Sequence, residues 1–276
     1  LYALIRQKYR WAYILAGIGA ATLLADGIIT PAMTVMSAIE GLNTIAPHIP
    51  VIPVTILIVL VLFLVQPFGT GSLGKYFGPM MIIWFTMMAV MGLSQIITDF
   101  SVFRAFNPIY AINFLIEVPQ TMIMLGAIFL CTTGAEALYS DLGHCGLKNR
   151  RISWIYVKLA LILNYRGQAA WIINSHHVTP GVNPFFAMMP AWFSFVGVIM
   201  ATIAAIIASQ ALISGSFTVI SEAISLNIWP NVKIRYTSDI KGQLYIPSIN
   251  HMMMVLCIII ILTMQSSMKL ETAYGL

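Results

Sequence analysis

An all-α, polytopic integral membrane protein is the fold class that the sequence predicts, and three observations carry that prediction. Only 8% of the 276 residues are charged and 59% are hydrophobic, whereas a soluble domain carries about 25% charged residues. Mean hydropathy is +0.89. Apolar runs recur along the whole chain, several of them near the roughly 20 residues that a helix needs to cross the bilayer core. A soluble core of this size would instead alternate short apolar stretches with solvated faces.

Seven spans follow from those runs. The first, 12–43, is long enough to tilt or to project beyond the hydrocarbon, and it carries Pro31 in its middle. The second, 51–66, is short and borrows flanking residues. The third, 78–98, is continuous. The fourth, 120–140, passes through small residues and Gly134, which weaken a helix as expected of a discontinuous transporter span. The fifth and sixth are 152–173 and 190–225, and the seventh is 246–264.

Orientation follows from the basic residues between spans. Arg6, Lys8, Arg10, Lys75, Lys148, Arg150, Arg151, Lys158, Lys233, Arg235 and Lys241 fall on one side. Arg104, Arg166 and Lys269 fall on the other, so the 14 Lys and Arg divide 11 against 3. The side of residues 1–10 is therefore expected to be cytoplasmic, and the C-terminal end extracytoplasmic. The net charge of +5 forms no continuous stripe or aromatic-interleaved patch of the nucleic-acid kind.

Other classes find no support. Cys131, Cys145 and Cys257 are far apart and make no metal-ligand spacing. No phosphate loop, Ser/His/Asp arrangement or HExxH is present, so no enzyme and no cofactor are expected. The adjacent His176 and His177 point differently and do not suggest a metal site. The chain has no initiator Met or signal peptide and stops at Ala273-Tyr274-Gly275-Leu276. Both ends read as cut, and the chain as a fragment.

One internal echo bears on architecture. At an offset of 184, Thr34-Val35-Met36-Ser37 faces Thr218-Val219-Ile220-Ser221, Thr30 faces Ser214, and Pro31 faces Gly215. The charge rule sends the first of these helices outward and the second inward, the relation found in inverted repeats of secondary transporters.

Ionisable groups at membrane depth cost about 2.5–3.5 kcal/mol on insertion scales, which makes them functional candidates. Of nine acidic residues, Asp99, Glu117, Asp239 and Glu271 fall in gaps. Glu40 and Glu222 fall near the ends of long helices, where snorkelling or capping explains them. Asp141 and His144 fall at the cytoplasmic end of the fourth span, where they would orient the loop. Asp26 and Glu136 remain. Helical spacing puts Asp26, Thr30 and Ser37 near one face, and Pro31 frees a backbone acceptor near Gly27. A carboxylate, a hydroxyl and a freed carbonyl suit a cation. Thr133 shares a face with Glu136, and Tyr139 continues it; Thr132 lies beside them. Ser209, Gln210, Ser214 and Ser216 cluster around Gly215, where helix-packing contacts explain them as well as ion contacts do.

The segments ADGIITPAMTVMSAIEGL (25–42), FGPMMIIWF (77–85), AFNPIYAINFL (105–115), TTGAEALYSDLGHCG (132–146), LNYRGQAA (163–170), NPFF (183–186), IASQALISGSF (207–217) and QLYIPSIN (243–250) resemble, in order, those of the KUP/HAK/KT potassium transporters. The resemblance implies the LeuT-type amino acid–polyamine–cation fold with two inverted five-helix repeats. It implies proton-coupled potassium uptake across the cell membrane by alternating access. The seven spans then correspond to helices three to nine of a single transmembrane domain, with the first two and the last helices absent. Tyr274-Gly275 stands at the threshold of the tenth. Asp26, Thr133 and Glu136 would bind potassium, and Asp26 and Glu136 would couple the proton. Thr30, Thr132, Tyr139, Ser209 and Gln210 are secondary candidates. Ala25 stands where the family usually has Gly, and the family's acidic first helix is not in the chain. Membrane lipid, potassium and protons are the expected partners, and a homodimer is a candidate assembly. The competing readings are an amino-acid or polyamine permease on the same fold and a non-transporting membrane scaffold.

Overall fold

The computed structural model describes residues 12–44, 46, 48–68, 74–119, 121–130, 147–175, 182–226, 228–236 and 244–275. The architecture is almost wholly helical. Helix α1 is Ala12–Glu40, followed by a 3-10 turn at Gly41–Thr44. Helix α2 is Val51–Val65, α3 is Gly74–Thr98, and a 3-10 segment Phe100–Phe106 leads into the short α4, Pro108–Glu117. Helix α5 is Thr121–Leu130, α6 is Leu147–Asn174, and α7 is the single turn Pro184–Ala187. Helix α8 is Ala191–Ser225, α9 is Pro247–Met264 and α10 is Ser267–Gly275. The strands β1, Arg235–Tyr236, and β2, Leu244–Tyr245, pair antiparallel between α8 and α9.

Five stretches among the described residues are long and apolar enough to cross a membrane: Gly17–Asn43, Val51–Phe68, Tyr76–Thr98, Ala191–Ser225 and Pro247–Met264. The chain is thus an all-α multi-pass membrane protein. Helix α6 is as long but carries Lys158, Asn164, Arg166 and Gln168, and it is less apolar than those five. The gaps hold more helix than the sequence alone suggested, because Asn and Asp side chains start short turns there. Asp99 accepts from the Ser101 N–H at 2.8 Å, Asn107 from Ile109 at 3.1 Å and Asn183 from Phe185 at 3.0 Å. Such Asx caps satisfy donors that a helix start leaves orphaned.

Helix α1 is the hub. It packs against α8, α9, α2 and α10, and its buried Val35 and Met36 join Phe63, Ile213, Phe217 and Met253 in the main core. A methyl group on Gly27 would collide with the Ser216 hydroxyl and lie 2.9 Å from Met253 Cε, so glycine permits the close approach of α1 to α8 and α9. Thr34 meets Ser209 at 3.4 Å on the same crossing. Moving from Gly27 to Thr34 steps forward along α1 as Ser216 to Ser209 steps backward along α8, so the two helices are antiparallel. They are the two segments that echo each other in sequence.

A second crossing joins α3 to α6. Gly92 lies against the backbone of Leu163 and Asn164, and Gly167 against that of Gly92. Small residues of this kind let membrane helices approach at backbone distance.

Candidate functional site

Asp26 lies in the middle of α1 and is 7% exposed. Thr30, one turn on, donates its hydroxyl to Asp26 Oδ1 at 2.5 Å, as the four-residue spacing expects. Thr34 continues the ladder by donating to the Thr30 carbonyl at 2.8 Å. Pro31 sits inside the helix and lacks the N–H that would have reached Gly27 O.

The second donor comes from the other end of the chain. Tyr274 on α10 donates its phenol hydroxyl to the same Oδ1 at 2.7 Å. Asp26 Oδ2 is buried and has no hydrogen-bond partner among the described residues. A carboxylate in an apolar interior needs its oxygens satisfied. The arrangement therefore fixes one oxygen with two hydroxyl donors and leaves the other without a partner among the described residues.

Helix α10 is held at its start by α1 and at its end by α1 and α5. At its start, the Ser267 N–H donates to Glu40 Oε1 at 2.9 Å and the Ser267 hydroxyl donates to Glu40 Oε2. At its end, Gly275 packs on Gly126 of α5; a methyl group on Gly126 would stand 2.6 Å from the Gly275 carbonyl oxygen, and one on Gly275 2.9 Å from Leu130 Cδ1. Leu130 is the last described residue before 131–146.

The remaining sequence candidates divide sharply. Thr132, Thr133, Glu136 and Tyr139 lie outside the described residues, as do His176 and His177. Ser209 is fully buried and donates to the Ala205 carbonyl at 2.7 Å. Gln210 is engaged by Gln66 at the end of α2: each amide donates to the other's oxygen, at 2.5 and 2.8 Å. Ser216 donates to Leu212 O at 2.9 Å. These hydroxyls back-bond within α8, and the glutamine pair ties α8 to the end of α2. Ser37 lines a cavity of about 500 Å³ on the Glu40 side of the site, with Thr34, Asn164 and Glu271.

The family model for the K+ potassium transporter integral membrane domain matches residues 1–276. The chain belongs to that family. It is 54% identical over 283 residues to the probable potassium transport system protein Kup of Flavobacterium psychrophilum, covering 100% of this chain and 43% of that relative. It is 55% identical over 282 residues to the protein of the same name from Cytophaga hutchinsonii, again covering 100% of this chain and 43% of the relative. The Enterococcus faecalis protein is 48% identical over 291 residues, covering 100% and 44%. The chain thus spans less than half the length of the curated relatives it matches. No solved structure matches it.

Within this potassium-transporter domain, sequence reasoning placed Asp26 and Thr30 together and missed Tyr274. The residue is separated from Asp26 by 248 positions, and no local spacing reports such a contact. Its one signal was the Tyr-Gly pair after the last apolar run. Glu271, assigned to a gap, instead lies on α10 beside Glu40.

Proposed function

We propose that the chain is part of a potassium–proton symporter of the cell membrane, working by alternating access, with Asp26 in its ion site. The observation that carries this reading is the half-satisfied carboxylate. Oδ1 accepts from two hydroxyls, while the buried Oδ2 accepts from none among the described residues. Oδ2 is then best served by a proton in one state and by potassium in the other. A group that exchanges the two ligands couples their movements.

Thr133 and Glu136 complete the proposed site. Leu130 abuts Gly275, the neighbour of Tyr274, and Thr133 follows it by three residues in the chain. Potassium takes several oxygen ligands, which Asp26, Tyr274, Thr133 and Glu136 could supply together. Two inverted repeats of the LeuT-type fold are the architecture we favour, because the echoing segments of α1 and α8 cross antiparallel. Residues 1–10 are placed in the cytoplasm by the 11-to-3 division of basic residues. The relatives' names, potassium transport system proteins, agree with potassium as the substrate.

The test is potassium uptake by the full-length protein in potassium-starved cells. Asp26→Asn and Glu136→Gln should each abolish proton-dependent uptake with the protein still in the membrane. Uptake unchanged by both substitutions would exclude the mechanism.

A further inference from the structure

Between Gln66 and Ile83 the chain carries a single charged residue, Lys75, followed at once by Tyr76 and Phe77. The charge rule puts this turn on the cytoplasmic side, and basic and aromatic residues beside an apolar run mark a membrane–water interface. Helix α2 arrives at the turn and α3 leaves it, but the two find different partners. Helix α2 packs against α1 and α9, and α3 against α6 and α8. The space between their cytoplasmic halves is floored by α8.

That space is a groove of about 680 Å³. Leu57 and Val61 of α2 and Ile83 of α3 form its rims, each more than half exposed, while Ile206 and Ile207 of α8 are half-buried at its floor. No charged side chain is among the described residues lining it, and its polar members are Tyr76 and Gln210. The Gln210 amide is already engaged, because it and Gln66 donate to each other at 2.8 and 2.5 Å. Such a wall suits hydrocarbon, since a polar guest would give up its water contacts with little in return.

Size separates the candidate guests. From Leu57 to Val65, α2 rises about 12 Å, so the groove averages roughly 55 Å² in cross-section. A helix with its side chains is about 10–12 Å across and needs roughly 80–110 Å². The groove is therefore too narrow for another span, whether from a longer chain or from a second copy. An extended acyl chain is far thinner and fits lengthwise, which sets its headgroup at the Lys75–Tyr76 turn.

We propose that this groove binds an acyl chain of an anionic phospholipid from the cytoplasmic leaflet, with the headgroup at the start of α3. Anionic lipid is the charge complement of that face, which takes 11 of the 14 Lys and Arg. The proposal is independent of the potassium reading, since it uses none of the residues around Asp26.

The full-length protein is reconstituted in phosphatidylcholine vesicles carrying a phosphatidylglycerol with a photoreactive diazirine in its acyl chain. After illumination, peptide mass spectrometry locates the label. Labelling within 57–65, 76–83 and 203–210 should saturate as the probe fraction rises. At a fixed probe fraction, unlabelled phosphatidylglycerol should displace it and phosphatidylethanolamine should not. Val61→Trp fills the groove from one exposed rim and Ile83→Trp from the other, and each should abolish the saturable labelling of Ile206 and Ile207. Lys75→Gln should raise the probe fraction for half-saturation about fivefold, the loss of one basic residue near an anionic surface. Labelling that grows linearly and resists competition would mean bulk lipid only and overturn the proposal. An unlabelled groove floor in the full-length protein would overturn it as well, because protein would then cover the groove.

Discussion

The two ends of the α1–α10 pair use the same parts to opposite effect. At the outer end, Glu40 has both oxygens occupied by Ser267, so the carboxylate is spent on starting α10. At the inner end, Asp26 has Thr30 and Tyr274 on one oxygen and no described partner on the other. One carboxylate is a structural cap. The other is held in place and left chemically open. The difference teaches where to look for function in a membrane helix: at the buried charge whose hydrogen bonds stop one short of completion.

The comparison can be broken at its strongest point first. Asp26→Asn keeps the shape and an acceptor for Thr30 and Tyr274 but removes the charge. Loss of one member of a buried charged contact costs about 2–5 kcal/mol, so potassium uptake by the full-length protein should fall at least about 30-fold at unchanged expression. Tyr274→Phe removes one donor to a charged oxygen, worth about 1.5–3 kcal/mol. It should weaken potassium affinity roughly 10-fold or more in the same uptake assay, and Tyr274 would be acquitted by an unchanged KM.

The Glu40–Ser267 cap should answer in stability rather than in ion chemistry. Ser267→Ala removes a hydroxyl donor from Glu40 and should cost about 1 kcal/mol, read as a fall of a few degrees in the thermal transition of the purified protein. Its KM should move far less than that of Tyr274→Phe. Equal effects of the two substitutions on transport would erase the distinction between the ends.

The smallest expected effect is a pH dependence at Glu271. Helix α10 follows the last of the five spans, and desolvation together with the Glu40 charge raises the Glu271 carboxyl above its ordinary 4.5. A raised folded value means the folded protein holds the proton more tightly. Stability from this group is therefore full below the ordinary value and is lost as pH rises through the raised one. Exposure and screening hold the effect to a few tenths of a kcal/mol. Melting curves of wild type and Glu271→Gln should converge in acid and separate in favour of the Gln variant as pH rises.

Much of the fold was legible because its signals are local. The apolar runs marked 190–225 and 246–264 to within a residue of α8 and α9, since nothing but helix satisfies backbone groups in lipid. Asp26 and Thr30 were legible as a pair because four residues make one helical turn. The short helices in the gaps were not, because their starts depend on single caps such as Asn107 and Asn183. Tyr274 and the Glu40–Ser267 contact were illegible for another reason: each joins positions more than 200 residues apart. Gln210 looked like an ion-site candidate because its partner, Gln66, is also remote in sequence. Thr133 and Glu136 rest on spacing and resemblance, as they lie outside the described residues.

The central claim is that Asp26 exchanges a proton for potassium at its open oxygen. The most direct measurement is a potassium-induced infrared difference spectrum of the full-length protein in membranes, read in the carboxylic-acid carbonyl region. Addition of potassium should remove a protonated-carboxyl band in the wild type, and that component should be missing from Asp26→Asn. Identical potassium-induced spectra in the two proteins would contradict it.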